Sequence, residues 1–242
     1  MNERKHRPDT EEGIQNHTGA QRDADFMRPF LSEQRINTLK QALARRTRYI
    51  TVVLDDIYHP HNISAVVRSC EAFGIQDIHV LQVENPFRPN KGVTKGSQQW
   101  ITFHRYTSIE KCVNTLRQRG YLLLGADPPS KGHASLPVDQ IELNTPLAIV
   151  FGREKEGLHQ ELRDMCDGLF HIPMTGLTES FNISVTVAIS LYELRRKLDS
   201  IDRRIWELPE EEKADLFDDW CIKSVRKGPE VLREIKARLK IP

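Results

Sequence analysis

The sequence predicts an α/β protein: a parallel sheet flanked by helices, with helical extensions at both ends. Two observations predict it. Short runs rich in β-branched and other apolar residues alternate with helical stretches through the middle of the chain, the signature of consecutive strand–helix–strand units. Several of these strands are apolar on successive residues, as expected when helices cover both faces of a sheet. At 242 residues the chain is long enough to bury a substantial single core with appendages.

Taken in order, residues 1 to about 28 are polar with little periodicity and are expected to form a flexible arm. From about residue 30 to 48, Leu31, Ile36, Leu39 and Leu43 suggest an amphipathic helix or two short ones. The first strand is expected at 50–54. After a loop punctuated by Pro60, a helix capped by Asn62 or Ser64 runs to about Phe73, before Gly74. Residues 78–81 read as a strand, and 84–99 as a long loop rich in Asn, Pro, Gly and Lys. Strand 100–106, helix 108–118, strand 121–124 and strand 147–151 follow. Residues 158–166 look helical and 168–172 extended. The stretch 180–198 is a helix whose first half is small and apolar (Val185, Val187, Ala188, Ile189, Leu191), suited to burial or to an interface. Pro209 and Pro229 each open a further helix. The expected division is 1–49 as arm and basic helical extension, 50–197 as catalytic domain and 198–242 as C-terminal helical extension.

Composition narrows the class. With 38% hydrophobic and 29% charged residues, and no apolar run approaching membrane-spanning length, the chain reads as a globular protein that does not enter a membrane. The N-terminus lacks an apolar signal core, and Cys70, Cys112, Cys166 and Cys221 are far apart with no C-x-x-C pair. The expectation is a cytoplasmic protein with neither a disulfide framework nor a metal site. Residues 1–50 hold ten Lys/Arg against seven Asp/Glu and residues 195–242 hold thirteen against eleven, whereas residues 51–194 hold twelve against sixteen. Positive charge is therefore weighted to the ends. Arg35, Lys40, Arg45, Arg46 and Arg48, opposed only by Glu33, would suit contacts to phosphate, although such a cluster alone is more often a solvated face.

Three segments carry polar residues at strand–helix junctions, where open α/β sheets bind ligands. They are His61-Asn62-Ile63-Ser64-Ala65-Val66-Val67-Arg68, Val150-Phe151-Gly152-Arg153-Glu154-Lys155-Glu156-Gly157, and Ile172-Pro173-Met174 through Ser180-Phe181-Asn182-Ile183-Ser184. Alone, Asn62 reads as a helix cap and Arg68 as a surface cation. The apolar neighbours of Arg68 suggest instead a buried arginine needing an acid or a phosphate. Gly152 would let a ligand approach the backbone closely. Glu154 could anchor Arg68 or a neighbouring loop, or simply favour a helix N-terminus. No G-x-G-x-x-G, Walker A, H-E-x-x-H or G-x-S-x-G motif is present.

Together, in this order and spacing, the three segments resemble the signature motifs of the SpoU branch of the SPOUT RNA methyltransferases. The resemblance covers about residues 50–197. It implies a parallel sheet whose C-terminal part is threaded into a deep trefoil knot, a topology that periodicity does not reveal. It further implies a homodimer, S-adenosylmethionine as cofactor, and methyl transfer to a ribose 2'-hydroxyl of RNA. By similarity Ala126, Pro128, Gly152, Met174, Ser180 and Ile183 surround the cofactor. Arg68 activates the hydroxyl or positions phosphate, Asn182 and Glu154 hold Arg68, and Asn62 supports the site. His61, Arg45, Arg46, Arg48, Arg195 and Arg196 are candidate RNA contacts. The expected partner is tRNA and the expected target its D-loop guanosine, position eighteen. A ribosomal RNA or another tRNA position is the alternative within the family, and a non-catalytic knotted RNA-binding protein the alternative outside it.

Overall fold

The computed structural model describes residues 22–84, 87, 94, 96–129, 133–154, 156–178 and 180–241. Seven parallel strands form one sheet: β1 (Ile50–Asp55), β2 (Asp77–Leu81), β3 (Thr102–Tyr106), β4 (Leu122–Ala126), β5 (Leu136–Pro137), β6 (Leu147–Phe151) and β7 (Gly168–His171). Their order is β3-β2-β1-β6-β4-β7-β5. The chain builds outward from β1 to β3, returns through a helix to β4, and later inserts β6 between β1 and β4. The direction of winding thus reverses beside β1, and the loops after β1 and β6 meet at the carboxyl edge there. Ligand sites of open α/β sheets lie at such a point.

Nine α-helices lie among the described residues: α1 (Asp23–Met27), α2 (Glu33–Leu43), α3 (Pro60–Ala72), α4 (Ile109–Gln118), α5 (Gln160–Met165), α6 (Ile183–Leu198), α7 (Arg203–Trp206), α8 (Glu210–Ser224) and α9 (Gly228–Leu239). Alternation along the strands sorts the core. Val52 and Leu54 of β1 and Ile78 and Val80 of β2 join Ile63, Val66 and Val67 of α3 and Val187, Leu191 and Leu194 of α6 on one face. Val53 and Val150 join Val113 and Leu116 of α4 and Leu162 of α5 on the other. Both faces are covered, which is why these strands read as apolar runs rather than alternating ones.

The first and last described helices share a core. Ala24, Met27, Leu39 and Leu43 from the N-terminal helices share an apolar cluster with Trp220, Cys221 and Leu232 of α8 and α9. Residues 1–21 of the expected arm lie outside the described residues, but from Asp23 the chain is helical, because Ala24 and Met27 have this apolar surface to bury.

Several boundaries differ from those the sequence suggests. The basic helix ends at Leu43, so Arg45, Arg46 and Arg48 lie in the connection to β1 rather than on a helix face. Helix α3 begins at Pro60 behind His59, placing Asn62 in the first turn with its side chain turned away from capping. Helix α6 begins at Ile183, capped by the Asn182 side chain on the Ser184 N–H at 2.9 Å, so Ser180 stands outside it. Strand β3 starts at Thr102 because residues 97–100 form a 3-10 turn. Much of the expected long loop, residues 85–86, 88–93 and 95, lies outside the described residues.

Candidate functional site

The three motif segments converge at the carboxyl edge of the sheet. Parallel registration of Leu54 with Phe151 brings the end of β1 beside the end of β6. From there Asn62, in the first turn of α3, donates through Nδ2 to Glu154 Oε1 at 2.8 Å. Its Oδ1 accepts from Asn182 Nδ2 at 3.1 Å. Asn182 Oδ1 also takes the Ser184 hydroxyl at 2.6 Å. One chain of side-chain hydrogen bonds, Ser184–Asn182–Asn62–Glu154, therefore ties all three segments together. The other carboxylate oxygen of Glu154, Oε2, is buried and has no hydrogen-bond partner among the described residues.

This chain corrects one expectation. Asn182 and Glu154 hold Asn62, not Arg68. Arg68 lies farther along α3 with its side chain exposed, and no hydrogen bond or ion pair reaches it among the described residues. The apolar neighbours that suggested a buried arginine face the sheet, while Arg68 itself points away from it. A guanidinium with no acid partner among the described residues is placed to meet a phosphate.

The segment after β6 is shaped by its own backbone. Arg153 and Gly157 exchange N–H···O bonds, each 3.0 Å. A Cβ on Gly152 would stand 2.2 Å from the Gly157 carbonyl carbon and 2.3 Å from the Leu158 nitrogen. Gly152 is thus required by the chain crossing over itself, rather than by an approaching ligand. Gly157 has φ +75°, a conformation that glycine adopts without strain.

Sequence reasoning missed the groups beneath this segment. Asp55, fully buried at the end of β1, accepts the His159 backbone N–H at 2.8 Å and the His159 Nδ1–H at 2.7 Å. Burial pushes the Asp55 carboxyl up, and the His159 bonds and the Arg153 charge offset this only in part. Arg153 Nη1 reaches Glu84 at 3.2 Å, and Glu84 also stands 3.8 Å from His159 Nε2. The available signal was an acid closing a strand of apolar and β-branched residues, which a buried site must satisfy.

Of the residues matched to the cofactor, Gly152, Ala126 with Pro128, and Met174 follow or end β6, β4 and β7, which are neighbours in the sheet. Ser180 is exposed beside the start of α6, and Ile183 is buried in the core.

The proposed RNA contacts separate into two groups. His61, Arg45 and Arg196 are exposed. Arg46 is 2% exposed, lies over the Trp220 ring at 5.0 Å, and donates to the Ile75 carbonyl and Glu71, each at 3.0 Å. Arg48 pairs with Asp77 and Glu212. Arg195 stacks 4.5 Å over Trp206 and bonds the Arg45 carbonyl and Asp199. These three arginines fasten the helical ends to the sheet. Their positive charge is already matched inside the protein, which withdraws Arg46, Arg48 and Arg195 as phosphate contacts.

The SpoU rRNA Methylase family matches residues 49–192. The chain belongs to that family. It is 36% identical over 189 residues to the tRNA (guanosine(18)-2'-O)-methyltransferase of Borreliella burgdorferi, covering 77% of this chain and 84% of that protein. It is 29% identical to the Escherichia coli protein of the same description, covering 73% and 77% respectively. Among solved structures, the A. aeolicus TrmH/SpoU tRNA modifying enzyme superposes with a TM-score of 0.71 at 28% identity, covering 80% of this chain and 98% of that one. The SpoU methyltransferase AviRb from Streptomyces viridochromogenes, solved with the cofactor AdoMet, shares the fold with a TM-score of 0.57 at 24% identity, covering 66% of this chain and 65% of that one.

Proposed function

We propose that this protein transfers the methyl group of S-adenosylmethionine to the ribose 2'-hydroxyl of guanosine 18 in the D-loop of tRNA. The observation that carries the reading is the Asn182–Asn62–Glu154 hydrogen-bonded chain, which joins the three motif segments of a SpoU methylase at the start of the helix that carries the exposed Arg68. The substrate follows from similarity to relatives described as tRNA (guanosine(18)-2'-O)-methyltransferases.

The residues present fit the cofactor. In residues 174–178 no backbone amide enters a backbone hydrogen bond among the described residues, and the side chains of Leu177 and Phe181 are exposed. Free amide donors beside apolar surface suit an adenine ring and a ribose. Ala126, Pro128, Gly152, Met174, Ser180 and Ile183 would hold the molecule, and when bound it supplies an electrophilic methyl group. The task left to the protein is the alcohol. A ribose hydroxyl is a weak nucleophile, so placement and stabilisation of the charge it develops dominate. Arg68 would grip the adjoining phosphate and face the developing alkoxide; its guanidinium stays protonated, so it acts through charge rather than as a base. Asn62, Asn182 and Glu154 fix the start of α3, and with it the line along which Arg68 is presented.

Three further features belong to this reading. The C-terminal part, with β6 inserted between β1 and β4 and the segment after β7 leading into α6, is threaded as a deep trefoil knot. The protein works as a homodimer in the cytoplasm: Phe181, Val185 and Tyr192 are exposed large apolar side chains, and Val185 and Tyr192 are seven residues apart on one face of α6, as a partner surface requires. The joined helical layer of residues 22–43 and 203–239, with exposed Arg203 and Arg204 on it and Arg45 beside it, serves as an RNA-gripping extension.

A ribosomal target is the second reading. The 23S rRNA (guanosine-2'-O-)-methyltransferase RlmB of Vibrio parahaemolyticus is 32% identical, although the match spans only 64% of that protein. One experiment separates the two: incubation with S-adenosylmethionine and unmodified total RNA, followed by mass-spectrometric mapping of methyl groups. A 2'-O-methylguanosine at position 18 of tRNA is the expected result. A mark confined to ribosomal RNA reassigns the substrate, and no mark on any RNA overturns the reading.

A further inference from the structure

The carboxylate of Asp55 is fully buried, and a buried carboxylate is costly unless well compensated. Among the described residues its hydrogen bonds come from His159, whose backbone N–H and imidazole Nδ1–H are held at 2.8 and 2.7 Å by the two carboxylate oxygens, and the Arg153 charge adds to them. Anchoring the start of the short helix α5 needs only the first of these bonds. The second fixes the imidazole ring itself.

The place of this clasp gives it a consequence. The registration of Leu54 with Phe151 sets Asp55 beside Gly152, where the segment carrying Glu154 leaves the sheet. His159 is where that segment ends, one residue after the Leu158 nitrogen that crowds Gly152. The segment is closed across its neck by the Arg153–Gly157 pair. It is held again at Glu84, which pairs with Arg153 and faces His159 Nε2. With neck and both ends held, the freedom that remains to Glu154 is small, and its carboxylate meets Asn62 at 2.8 Å.

We propose that Asp55 and His159 form a clasp that sets the position of Glu154, and through it of Asn62, for methyl transfer; His159 is thus a positioning residue for the reaction. The proposal rests on the methyltransferase reading above. A group held about an ångström from its productive place loses roughly a hundredfold in rate, so the clasp acts on turnover more than on substrate capture.

The test uses the side-chain geometry of amides. The amide nitrogen of asparagine falls near the Nδ1 position of histidine, whereas that of glutamine falls near Nε2. His159→Asn, His159→Gln and His159→Ala are made in the full-length protein. Methyl transfer is then measured as separate kcat and KM for tRNA, with cofactor affinity by calorimetry and thermal unfolding as controls. The expected result is a loss in kcat of roughly 10- to 100-fold for the Gln and Ala variants with KM for tRNA nearly unchanged, and recovery of most of that loss in the Asn variant. Should His159→Ala fail to fold, the Asn and Gln variants still decide the matter. Equal turnover in Asn and Gln variants, or losses that follow thermal stability alone, overturns the clasp while leaving the enzyme's activity intact. A wild-type protein that methylates no RNA removes the methyltransferase reading, and the clasp's role with it.

Discussion

Replacing Asn62 by Asp changes one atom's chemistry at the junction of the three motif segments. In the native chain the Asn62 amide donates to Glu154 and its carbonyl accepts from Asn182. In Asn62→Asp the Asn182 bond survives, but a carboxylate oxygen replaces the donor 2.8 Å from Glu154 Oε1. The lost hydrogen bond to a charged acceptor is worth about 1.5–3 kcal/mol. Two carboxylates whose charges lie about 4 Å apart repel by up to about 4 kcal/mol at an effective dielectric near 20, and by about half that at a partly exposed site. Rotation apart or uptake of a proton relieves the repulsion. Proton uptake at neutral pH costs about 1.4 kcal/mol for every unit between the pH and the carboxyl pKa, so the total settles near 3–4 kcal/mol. The expected effect at neutral pH is a loss of methyl transfer of roughly 100- to 1000-fold. A proton shared between the introduced carboxylate and Glu154 restores a donor between them, so the deficit should shrink as pH falls, by up to about tenfold per unit. Asn62→Ala has no such relief, so its deficit of about 30-fold should be independent of pH. The assay is transfer of labelled methyl to tRNA between pH 8 and 5.5, each variant taken as a ratio to the wild type. An Asn62→Asp deficit that is absent, or as flat with pH as that of Asn62→Ala, refutes the pairing of Asn62 with Glu154 as the operative contact.

Arg46→Met should lower stability by about 3 kcal/mol in urea unfolding, since it strands the Ile75 carbonyl and Glu71 beneath Trp220, yet leave the salt dependence of RNA affinity unchanged. Neutralising the exposed Arg45, Arg203 and Arg204 together should weaken RNA binding and lower the slope of log affinity against log salt by about one per lost contact; an unchanged slope makes this ridge a solvated surface. Acid should destabilise the fold in two stages. Burial and the neighbouring His104 depress His79 from 6.5 to about 3, so its contribution, present above pH 6.5, is lost as pH falls toward 3. Burial raises Asp77, but the His104 hydrogen bond and the Arg48 charge outweigh it and hold the carboxyl at about 2 against an ordinary 3.8, so its contribution of about 2 kcal/mol is lost between about pH 4 and 2. His79→Gln should remove the first stage from a series of urea midpoints taken between pH 7 and 4, and an unaltered slope would contradict the assignment.

The strands were legible because burial on both faces leaves little choice of residue: residues 147–151 and 50–54 admit only apolar and β-branched side chains with one threonine, and every one of them is buried. The arginines were not legible, because a guanidinium reads the same whether it faces phosphate or an internal acid. Arg46, Arg48 and Arg195 differ from Arg45 and Arg196 in being covered by partners that the fold brings up, Trp220 to Arg46, Glu212 to Arg48 and Trp206 to Arg195, whereas the ion pairs of Arg45 with Asp199 and of Arg196 with Glu193 stay at the surface. Those partners sit in the C-terminal helices, 164 residues away in the case of Glu212. Local charge counting could not see them.

The same limit explains the site. Asn62, Glu154 and Asn182 were recognisable as motif residues, but not the order in which they bond, because that order depends on the reversal of winding beside β1. With β6 inserted next to β1, Glu154 emerges beside the start of α3 and meets its first turn at Asn62. Arg68, six residues farther along the helix, is presented outward instead. A buried Arg68 paired with Glu154 would be held by the protein and unable to exchange that acid for a phosphate without a cost of several kcal/mol. An Asn62 held at both ends, with Arg68 exposed and without an acid partner among the described residues, separates the two demands. Rigidity is placed where neutral hydrogen bonds can supply it, and positive charge is kept where an anionic substrate can claim it.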